Sequence, residues 1–471
     1  MEKKFGIREM HLFSHRGNYF MFLPVKMELY ELAEEQYIEM ERLKNEELLP
    51  SQLLCENGEF FEELLQADIL TEEGGVSDAC ASESEEKPGL PEEPEPYINN
   101  IVLQVANDCN LNCLYCYGSG GSYDRERELM TWDVAKQGID YLVERSEEGA
   151  EVVITFFGGE PLLNVPVIRK SIEYCKELAP KVNRKFRYSM TTNGTIFSEE
   201  IAELIRENRI HVMVSMDGGK CQQDRYRCYA DGSGSYDVIR KNIDAIKEAN
   251  GGQLSARATV CGPDIDVIGI KKALFDAGFT NAHLSLADVS RDSELRITEA
   301  QMEEIAAQYE TFAEEYIEDM LRERQNNQLC FTQTIEKLFF KQFSLRSCSA
   351  GKNGHAVGSN GKVYPCQRFM GMDDYGMGTI YGEKNEKLWV PTVLEKDACR
   401  NCWARFLCGG GCMYTFVNEG GSVNGEAPAY CTLQKRVFEL GLYCYSMLKK
   451  ENESFFQNRF TPMSVQETAD C

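Results

Sequence analysis

Six short runs of strand-forming residues, separated by helical stretches, limit the fold of this 471-residue chain more than any other feature. The runs are INNIVLQVA (98–106), EVVITFF (151–157), KFRYSMTT (185–192), IHVMVSM (210–216), QLSARATV (253–260) and NAHLSLA (281–287). Between them lie stretches with helical apolar spacing, such as MTWDVAKQGIDYLVERS (130–146) and SEEIAELIREN (198–208). This alternation predicts an α/β fold over residues 97–297, with helices covering a parallel sheet.

Two forms of the parallel sheet fit this pattern. If the sheet is curled, six strands form a partial (β/α)6 version of the TIM barrel, with the chemistry at the C-terminal ends of the strands. An open, doubly wound sheet is the alternative. Hydrophobic periodicity alone does not distinguish the two, and we expect the partial barrel.

The residues that precede this core predict a small unit and a linker. Within residues 1–70, MHLFSHRGNYFMFLPV (10–25) predicts two short strands around the turn SHRGN. The following stretch MELYELAEEQYIEMERLKN (27–45) has the apolar spacing of a helix. Residues 71–96 are rich in Glu, Pro, Ser and Gly, so they cannot bury a core and predict a flexible acidic linker.

Three further regions follow the core. Residues 298–345 predict a helical bridge that begins with a long helix at 298–325. Residues 346–445 consist of short pieces rich in Gly, Cys and aromatic residues, a composition that usually needs metal to hold it together. Residues 446–471 predict a C-terminal helix that frays into a tail.

Charge and hydropathy exclude several classes of function. The net charge of −26 argues against nucleic-acid binding, which depends on Lys and Arg neutralising phosphates. Residues 1–70 carry 7 basic and 15 acidic side chains and residues 71–96 carry 1 and 9, so more than half of the charge lies in the first fifth of the chain. Solubility and a partner of basic character both explain this asymmetry. No apolar run is long enough to cross a membrane and no signal peptide is evident, so we expect a cytoplasmic location.

The 19 cysteines indicate metal or redox chemistry, because disulfides do not persist in the cytosol. Three of them, Cys109, Cys113 and Cys116, directly follow the first strand of the predicted sheet. Three thiolates can bind three irons of a 4Fe–4S cluster and leave the fourth iron open, as a catalytic centre requires. Zinc is the alternative, although structural zinc sites usually show paired CxxC motifs and the chain has only five histidines.

The spacing CxxxCxxC, followed by GGEP (Gly158, Gly159, Glu160 and Pro161) after the next strand, resembles the signature of the radical S-adenosylmethionine (SAM) enzymes. The resemblance implies that GGEP binds the methionyl amino group of SAM. It also implies that the amine and carboxylate of SAM occupy the open iron. In this family the reduced cluster cleaves SAM to a 5′-deoxyadenosyl radical, which abstracts hydrogen from an unactivated carbon.

The same resemblance assigns four further residues to SAM contacts: Tyr115 near the adenine, Asn193 and Ser215 near the ribose and carboxylate, and Arg227. Turn chemistry is the alternative for each of them. Asp217 and Asp224 are expected to be local turn acceptors rather than site residues.

Seven cysteines near the C-terminus resemble the pattern of the SPASM domain, which holds two auxiliary 4Fe–4S clusters: Cys348, Cys366, Cys399, Cys402, Cys408, Cys412 and Cys431. The resemblance implies that Cys399, Cys402, Cys408 and Cys431 complete one cluster. Cys348, Cys366 and Cys412 would then hold the other cluster and leave one iron open, unless Cys330 supplies an eighth thiol. A pair of zinc knuckles is the alternative. The remaining cysteines are expected to be packing or surface thiols: Cys55, Cys80, Cys175, Cys221, Cys228, Cys261, Cys444 and Cys471.

SPASM proteins mostly act on peptides, and the N-terminal unit resembles the winged-helix-like recognition element (RRE) that binds leader peptides in maturases of ribosomally made peptides (RiPPs). Such a unit binds an extended leader by adding it as a strand to an open sheet edge. A cap on the core is the alternative for this unit. The resemblance implies an open auxiliary iron that ligates a substrate cysteine, and this combination resembles the thioether-forming maturases of the sactipeptide and ranthipeptide (SCIFF) type. The expected partners are a Cys-containing precursor peptide and an electron donor such as flavodoxin or ferredoxin.

The main rival is the anaerobic sulfatase maturase, which oxidises Cys or Ser to formylglycine. That family carries an acidic base directly after the second SPASM cysteine, where this chain has Gln367. Carbon–carbon crosslinking, peptide epimerisation and a non-catalytic metal scaffold remain further alternatives. The sequence does not identify the substrate peptide, the attacked carbon or the oligomeric state.

Overall fold

The computed structural model describes residues 5–72, 97–324, 328–382, 390–451 and 456. Its N-terminal unit consists of strands β1 (Phe5–Ile7), β2 (His11–His15), β3 (Asn18–Leu23) and β4 (Glu28–Leu32), helices α1 (Glu34–Lys44), α2 (Pro50–Glu56) and α3 (Gly58–Gln66), and strand β5 (Leu70–Glu72). Strands β2, β3 and β4 form an antiparallel sheet in that order, and β1 pairs with β5. The two strands predicted around SHRGN are thus present as β2 and β3. The assignment of this unit as a leader-binding element stays a prediction.

The helix predicted over residues 27–45 is wrong in its first third. Met27 has a positive φ of 51°, and the next five residues pair with β3 as β4. The apolar residues of this stretch fit either period, and the available edge of β3 decides in favour of the strand. The helix begins at Glu34, where the Gln36 side chain accepts a hydrogen bond from the Ala33 N–H at 2.9 Å.

The core of the molecule is the predicted alternation of strands and helices. It comprises β6 (Asn100–Asn107), β7 (Glu128–Leu129), α4 (Trp132–Arg145), β8 (Glu151–Gly158), α5 (Val165–Val182), β9 (Lys185–Thr192), α6 (Glu199–Asn208), β10 (His211–Ser215), α7 (Lys220–Tyr226), α8 (Tyr236–Ala249), β11 (Ser255–Val260), α9 (Val267–Asp276) and β12 (Asn281–Leu286). Strands β6, β8, β9, β10, β11 and β12 lie side by side in chain order, and each is parallel to its neighbours. All six predicted strands are therefore present.

This sheet is curled rather than open. One side chain from each of five successive strands lines a single cavity: Phe157, Thr191, Met213, Arg257 and Ser285. The two ends of the six-strand run also approach each other. Asp288, which follows β12, accepts a hydrogen bond from Arg368, whose guanidinium lies 5.5 Å from the ring centre of Tyr117, which follows β6. The six units thus have the form of a partial barrel.

The C-terminal region extends the same sheet and makes it mixed. Strand β13 (Gly354–Val357) pairs parallel to β6, and β14 (Lys362–Tyr364) and β15 (Gly378–Thr379) continue antiparallel beyond it. Helices α10 (Glu299–Leu321), α11 (Leu329–Phe339), α12 (Asp397–Arg400), α13 (Arg405–Cys408), α14 (Met413–Gly420) and α15 (Pro428–Glu451) complete the described chain. The long helix predicted at 298–325 is α10, which packs with α15 through buried residues such as Tyr316 and Leu440.

The N-terminal unit contacts the cysteine-bearing C-terminal segment directly. The His11 ring stacks on Trp403 with ring centres 3.7 Å apart, and Arg405 donates two hydrogen bonds to the carboxylate of Glu9. Arg436 on α15 contacts His15 at 3.0 Å. The unit is therefore packed against the region that surrounds Cys402 and Cys408.

Several expectations fall outside the described residues. These are residues 73–96 of the linker predicted at 71–96, with Cys80, and the C-terminal tail beyond Glu451, apart from residue 456, with Cys471. The first two residues of the predicted linker, Thr71 and Glu72, instead belong to β5, which pairs with β1. Within the described ranges, no helix combines the length and apolarity needed to cross a bilayer.

Candidate active site

The curled sheet surrounds a cavity of about 370 Å³ at the C-terminal ends of its strands. Three groups of residues line it: the loop after β6, the ends of β8 to β12, and the turn after Cys366. Of the predicted site residues, nine line this cavity: Cys109, Cys113, Tyr115, Cys116, Gly158, Gly159, Asn193, Ser215 and Arg227.

Backbone hydrogen bonds fix the loop that carries the first three cysteines. Asn112 N–H donates to the Cys228 carbonyl at 2.8 Å, and Leu114 N–H donates to the Tyr226 carbonyl at 2.9 Å. The Cys109 sulfur accepts hydrogen bonds from Leu111 N–H at 3.4 Å and from the Asn193 amide at 3.8 Å. The loop is thus shaped by the segment that follows α7 and by the end of β9.

The three thiols line one cavity, so a single cluster can bind all of them. Burial raises the pKa of Cys109 to about 11 and that of Cys113 to about 12, so neither is a thiolate without a strong positive partner. Iron provides such a partner, because a metal-bound thiol is deprotonated. Together with the adjoining cavity, which has room for a ligand, the cysteines fit the 4Fe–4S cluster and SAM that the motif implies.

Gly158 and Gly159 let β8 approach this loop more closely than any side chain allows. Gly158 has a φ of +150°, and a Cβ on it would lie 2.2 Å from the Ala106 carbonyl oxygen. A Cβ on Gly159 would lie 2.1 Å from the Asp108 carbonyl oxygen. The N–H groups of Gly159 and Glu160 already donate to those two carbonyls, each at 2.8 Å. Because these two N–H groups are already bonded, the turn can contact a ligand only through its carbonyl oxygens. A carbonyl oxygen is an acceptor that the amino group of a ligand can use.

Glu160 and Pro161 do not line the cavity. The Glu160 carboxylate is buried and accepts hydrogen bonds from Leu162 N–H at 3.0 Å, Thr192 Oγ1 at 2.8 Å and Asn193 N–H at 2.7 Å. Burial raises its pKa to about 7 against the effect of these donors. Pro161 begins a short 3-10 helix. The structure therefore gives Glu160 a positioning role, in which it joins the ends of β8 and β9.

Tyr115 and Arg227 form one buried network with Asp217. Arg227 donates to the Tyr115 hydroxyl at 2.9 Å, and that hydroxyl donates to the Asp217 carboxylate. Asp217 also accepts from Thr259 N–H at 2.8 Å. The expectation that Asp217 is only a turn acceptor is thus incomplete, because it orients two predicted site residues. Asp224 does act locally and accepts from Tyr236 N–H at 2.8 Å.

The cavity also contains inward-facing strand residues and a C-terminal side that no sequence motif predicts. Examples are Thr191, Met213, Arg257, Thr259, Ser285, Asp288 and Arg368. The two-residue alternation within each strand could have indicated the first five, since alternate side chains share a face. Gln367 and Arg368 lie far from the barrel in sequence, and no local pattern assigns them to it.

Four C-terminal cysteines surround a second cavity, of about 210 Å³. Its lining includes Cys399, Cys402, Cys408 and Cys431, which are the four thiols assigned to one auxiliary cluster. The Lys396 ammonium lies nearby, donating to the Gly410 carbonyl at 2.9 Å. This arrangement fits a group that binds four thiolates.

The remaining predicted set lies beside the first cavity. Burial, with smaller contributions from the neighbouring thiols Cys412 and Cys348, raises the pKa of Cys366 to about 12. Cys366 directly precedes Gln367, which lines the first cavity. Cys330 is placed elsewhere: it lies near Cys444 and packs against the core that contains α10 and α15, so the structure does not support it as an eighth ligand.

The cysteines outside these sets follow the expected division into packing and surface thiols. Cys175, Cys261 and Cys444 are buried, Cys228 is half-buried, and Cys55 and Cys221 are exposed. Among the described residues, no three His, Cys, Asp or Glu side chains converge on a position for a single metal ion. A 4Fe–4S cluster has a different requirement, since it distributes its protein ligands over several irons.

Comparison with known proteins identifies the domain that contains this site. The Radical SAM superfamily matches residues 103–277. An uncharacterized protein of Methanocaldococcus jannaschii is 36% identical over 153 residues, which is 32% of this chain and 50% of that protein. This chain therefore spans half the length of that relative. A cysteine-type anaerobic sulfatase-maturating enzyme of Clostridium novyi is 26% identical over 337 residues, covering 67% of this chain and 87% of that enzyme.

The fold has a close counterpart among solved structures. Native anSMEcpe with bound AdoMet and Kp18Cys peptide superposes with a TM-score of 0.62 and 20% identity, covering 75% of this chain and 99% of that one. At this identity the likeness shows a common α/β fold. Together with the family match and the cysteine and glycine motifs at the cavity, it identifies residues 103–277 as a radical SAM domain in a homologue of the anaerobic sulfatase-maturating enzymes.

Proposed function

We propose that this protein is a radical SAM peptide maturase that forms thioether crosslinks between cysteines and carbon atoms of a ribosomally made, Cys-rich precursor peptide. The observation that carries the proposal is the position of the Cys348, Cys366 and Cys412 set. The turn after Cys366, through Gln367 and Arg368, lines the same cavity as Cys109, Cys113 and Cys116. A peptide in this cavity would lie between the two sets of thiols.

The stoichiometry of the bond requires an electron acceptor close to the substrate. Thioether formation breaks one C–H and one S–H bond and makes one C–S bond. The hydrogen atom from carbon passes to 5′-deoxyadenosine, the thiol proton passes to solvent or a base, and one electron is left over. When bound, the first cluster and SAM supply the hydrogen-abstracting chemistry. In this proposal, Cys348, Cys366 and Cys412 hold the group that takes up the electron.

Residues of this chain position the substrate and exclude water from it. Tyr117 and Tyr414 lie with ring centres 6.0 Å apart, and the Arg368 guanidinium lies 5.5 Å from each ring centre. Arg368 is held by the Asp288 carboxylate, which also accepts a hydrogen bond from Thr415 at 2.9 Å. These contacts join the radical SAM domain to the C-terminal region and close the open side of the barrel around the reacting groups.

Formylglycine formation is the second candidate, and the similarity to a sulfatase-maturating enzyme over 87% of its length favours it. That chemistry needs a base for the substrate proton, and Gln367 cannot serve as one. Asp288 is a carboxylate on the same cavity, although Arg368 and Thr415 hold it. The two candidates therefore differ in what happens to the substrate sulfur, which is retained in a thioether and lost in formylglycine.

We propose further that the N-terminal unit binds the leader of the precursor. In the part of the chain that the structure describes, β2 and β4 pair on one side only, with β3. An extended peptide can add to such an edge through main-chain hydrogen bonds. The excess of acidic residues in this unit suits a leader of basic character.

The first experiment tests the radical chemistry. The protein is reconstituted anaerobically with iron and sulfide, dithionite and SAM are added, and 5′-deoxyadenosine is followed for wild type and Cys113→Ala. We expect about twelve irons per chain, four for each of three clusters, and deoxyadenosine from wild type alone. Bound zinc without SAM cleavage would contradict the proposal and leave a metal scaffold.

The second experiment separates the two candidate reactions. Cys-containing peptides encoded near the gene are incubated with the active protein, and the product mass and released sulfide are measured. A loss of two hydrogens per crosslink with sulfur retained supports the thioether. Sulfide release with formation of an aldehyde would establish the sulfatase-type reaction instead.

A further inference from the structure

Arg257 differs from the other arginines that line the main cavity. Arg227 donates to Tyr115, and Arg368 is paired with Asp288. The Arg257 side chain lines the same cavity from the inner face of β11, yet it makes no hydrogen bond or ion pair with any residue that the structure describes. Burial and the positive charge of Arg368 both lower its pKa. A half-buried guanidinium without an acidic partner is costly, and a ligand anion would remove that cost.

The surroundings of Arg257 place it at the substrate end of the cavity. Of the groups that act on it electrostatically, Arg368 and Cys412 belong to the C-terminal region, and Tyr117, on the loop after β6, lies 5.5 Å from the Arg368 guanidinium. Arg227, by contrast, lies near Cys113 and Tyr115 at the end where SAM would bind. Arg227 thus lies at the end of the cavity that holds Cys113, whereas Arg257 lies nearer to Arg368 and Cys412.

We propose that Arg257 binds a carboxylate of the peptide substrate, from an Asp or Glu side chain close to the attacked carbon. This inference rests on the proposed peptide-maturase function and adds a substrate class to it. A guanidinium binds a carboxylate through two parallel hydrogen bonds, which fixes the orientation of the peptide as well as its position. In a protein of net charge −26, an acidic substrate residue needs such a local cation to enter the cavity.

The test uses two blocked synthetic pentapeptides that differ in one group, acetyl-Gly-Cys-Gly-Asp-Gly-amide and its Asn counterpart. Their affinities for the reconstituted full-length protein with SAM are measured by calorimetry for wild type, Arg257→Gln and Arg257→Lys. We expect wild type to prefer the Asp peptide by about tenfold. The preference should disappear in Arg257→Gln and persist in part in Arg257→Lys, which keeps the charge but not the bidentate geometry.

Controls separate this result from misfolding and from failure of the proposed function. Arg240→Gln removes an exposed arginine on α8, which pairs with Asp244, and should keep the full preference. Circular dichroism, iron content and SAM affinity are measured for every variant. Equal binding of both peptides by wild type, or a preference that survives in Arg257→Gln, would overturn the inference. Loss of SAM affinity in Arg257→Gln would overturn it by assigning Arg257 to the carboxylate of SAM. Because binding is measured without turnover, a product other than a thioether would overturn the proposed reaction alone.

Discussion

The loop after β6 and the segment 390–431 both carry cysteines, but they are built in different ways. The loop with Cys109, Cys113 and Cys116 lies at the end of a parallel sheet, and its backbone is bonded to the neighbouring segments at Cys228 and Tyr226. Segment 390–431 contains no strand among its residues, all of which the structure describes. Three of its five cysteines, Cys399, Cys402 and Cys408, lie on or beside α12 and α13, two helices of four residues each. Cys412 precedes α14, and Cys431 lies in the first turn of α15.

This difference indicates which part of the fold depends on metal for its structure. Isolated helices of one turn are unstable, so packing or ligation must hold them in place. Here four thiols surround a cavity of about 210 Å³, a space that a group bound by all four would fill. We therefore expect the sheet to shape the first cysteine loop without iron, and the second segment to need iron for its structure.

Removal of iron should have the largest effect and tests the comparison most directly. Amide hydrogen exchange is measured on reconstituted and chelated protein. Residues 397–420 should exchange at least about a hundredfold faster after chelation, because ligation energy becomes folding energy in such segments. Strands β8 to β11 should change less than about threefold.

The double substitution Cys399→Ser with Cys402→Ser provides the matched control. It should loosen residues 397–420 in the presence of iron and leave the barrel strands protected. If amide exchange increased equally in both regions, or in neither, the hypothesis that only residues 397–420 need iron for their structure would be wrong.

Gly159→Ala should damage the first cysteine loop through the backbone alone. The added Cβ would lie 2.1 Å from the Asp108 carbonyl oxygen, so the two loops must separate. We expect SAM affinity to fall about a hundredfold, the size of effect that a displacement of about 1 Å produces at such a site. Isothermal titration of SAM into the reconstituted protein measures this.

Gly219→Ala is the control, because its Cβ would meet only Ala273, at the ordinary distance of 3.9 Å. This variant should keep its SAM affinity within about twofold. Unchanged SAM affinity in Gly159→Ala would show that the cysteine loop adapts freely and that the sheet does not impose its shape.

Glu9→Gln should weaken the contact between the N-terminal unit and the cysteine-bearing segment. Arg405 is 7% exposed and donates two hydrogen bonds to Glu9, and the substitution leaves its charge without a partner. Since Glu9 itself is 31% exposed, water offsets part of the loss, and we expect about 2 kcal/mol less stability. Urea unfolding of the anaerobic protein measures it, with the exposed Glu62→Gln as control. A change no larger than that of the control would show that the two regions are not energetically coupled.

Most of the barrel could be predicted from the sequence, whereas much of the site could not. Strands such as EVVITFF can be predicted because they are rich in β-branched and aromatic residues, and Cys109, Cys113 and Cys116 can be recognised by their spacing. The helix prediction fails at residues 27–32 because a short amphipathic stretch fits both the helical and the strand period. Only pairing with the edge of β3 decides between the two.

The positions of Arg368 and Asp288 illustrate a second limit. These residues are 80 positions apart in sequence and meet only because β13 joins the edge of the barrel at β6. Likewise, Glu160 belongs to the recognisable GGEP motif, yet its carboxylate contacts Thr192 and Asn193 rather than the cavity. The motif predicts that Glu160 is functionally important, but only the fold shows which residues its carboxylate contacts.

The smallest expected effect concerns His355, at the contact between the C-terminal region and the barrel. It lies on β13, and its Nδ1 is 2.9 Å from the Tyr141 hydroxyl on α4. Burial, together with the charge of Arg145, lowers the pKa of His355 from 6.5 to about 4. Below pH 6.5 the unfolded chain therefore binds a proton that the folded chain does not. This contribution to stability is complete above pH 6.5 and is lost as the pH falls towards 4. At a pH of about 5.5 the loss should be about 1 kcal/mol.

Because carboxylates also titrate in this range, the measured quantity is the difference in the free energy of unfolding between wild type and His355→Gln, from urea unfolding at several pH values. The two curves should converge on acidification. Parallel curves would show that the contact between β13 and α4 opens before His355 is protonated. The C-terminal region would then separate from the barrel before the barrel itself unfolds.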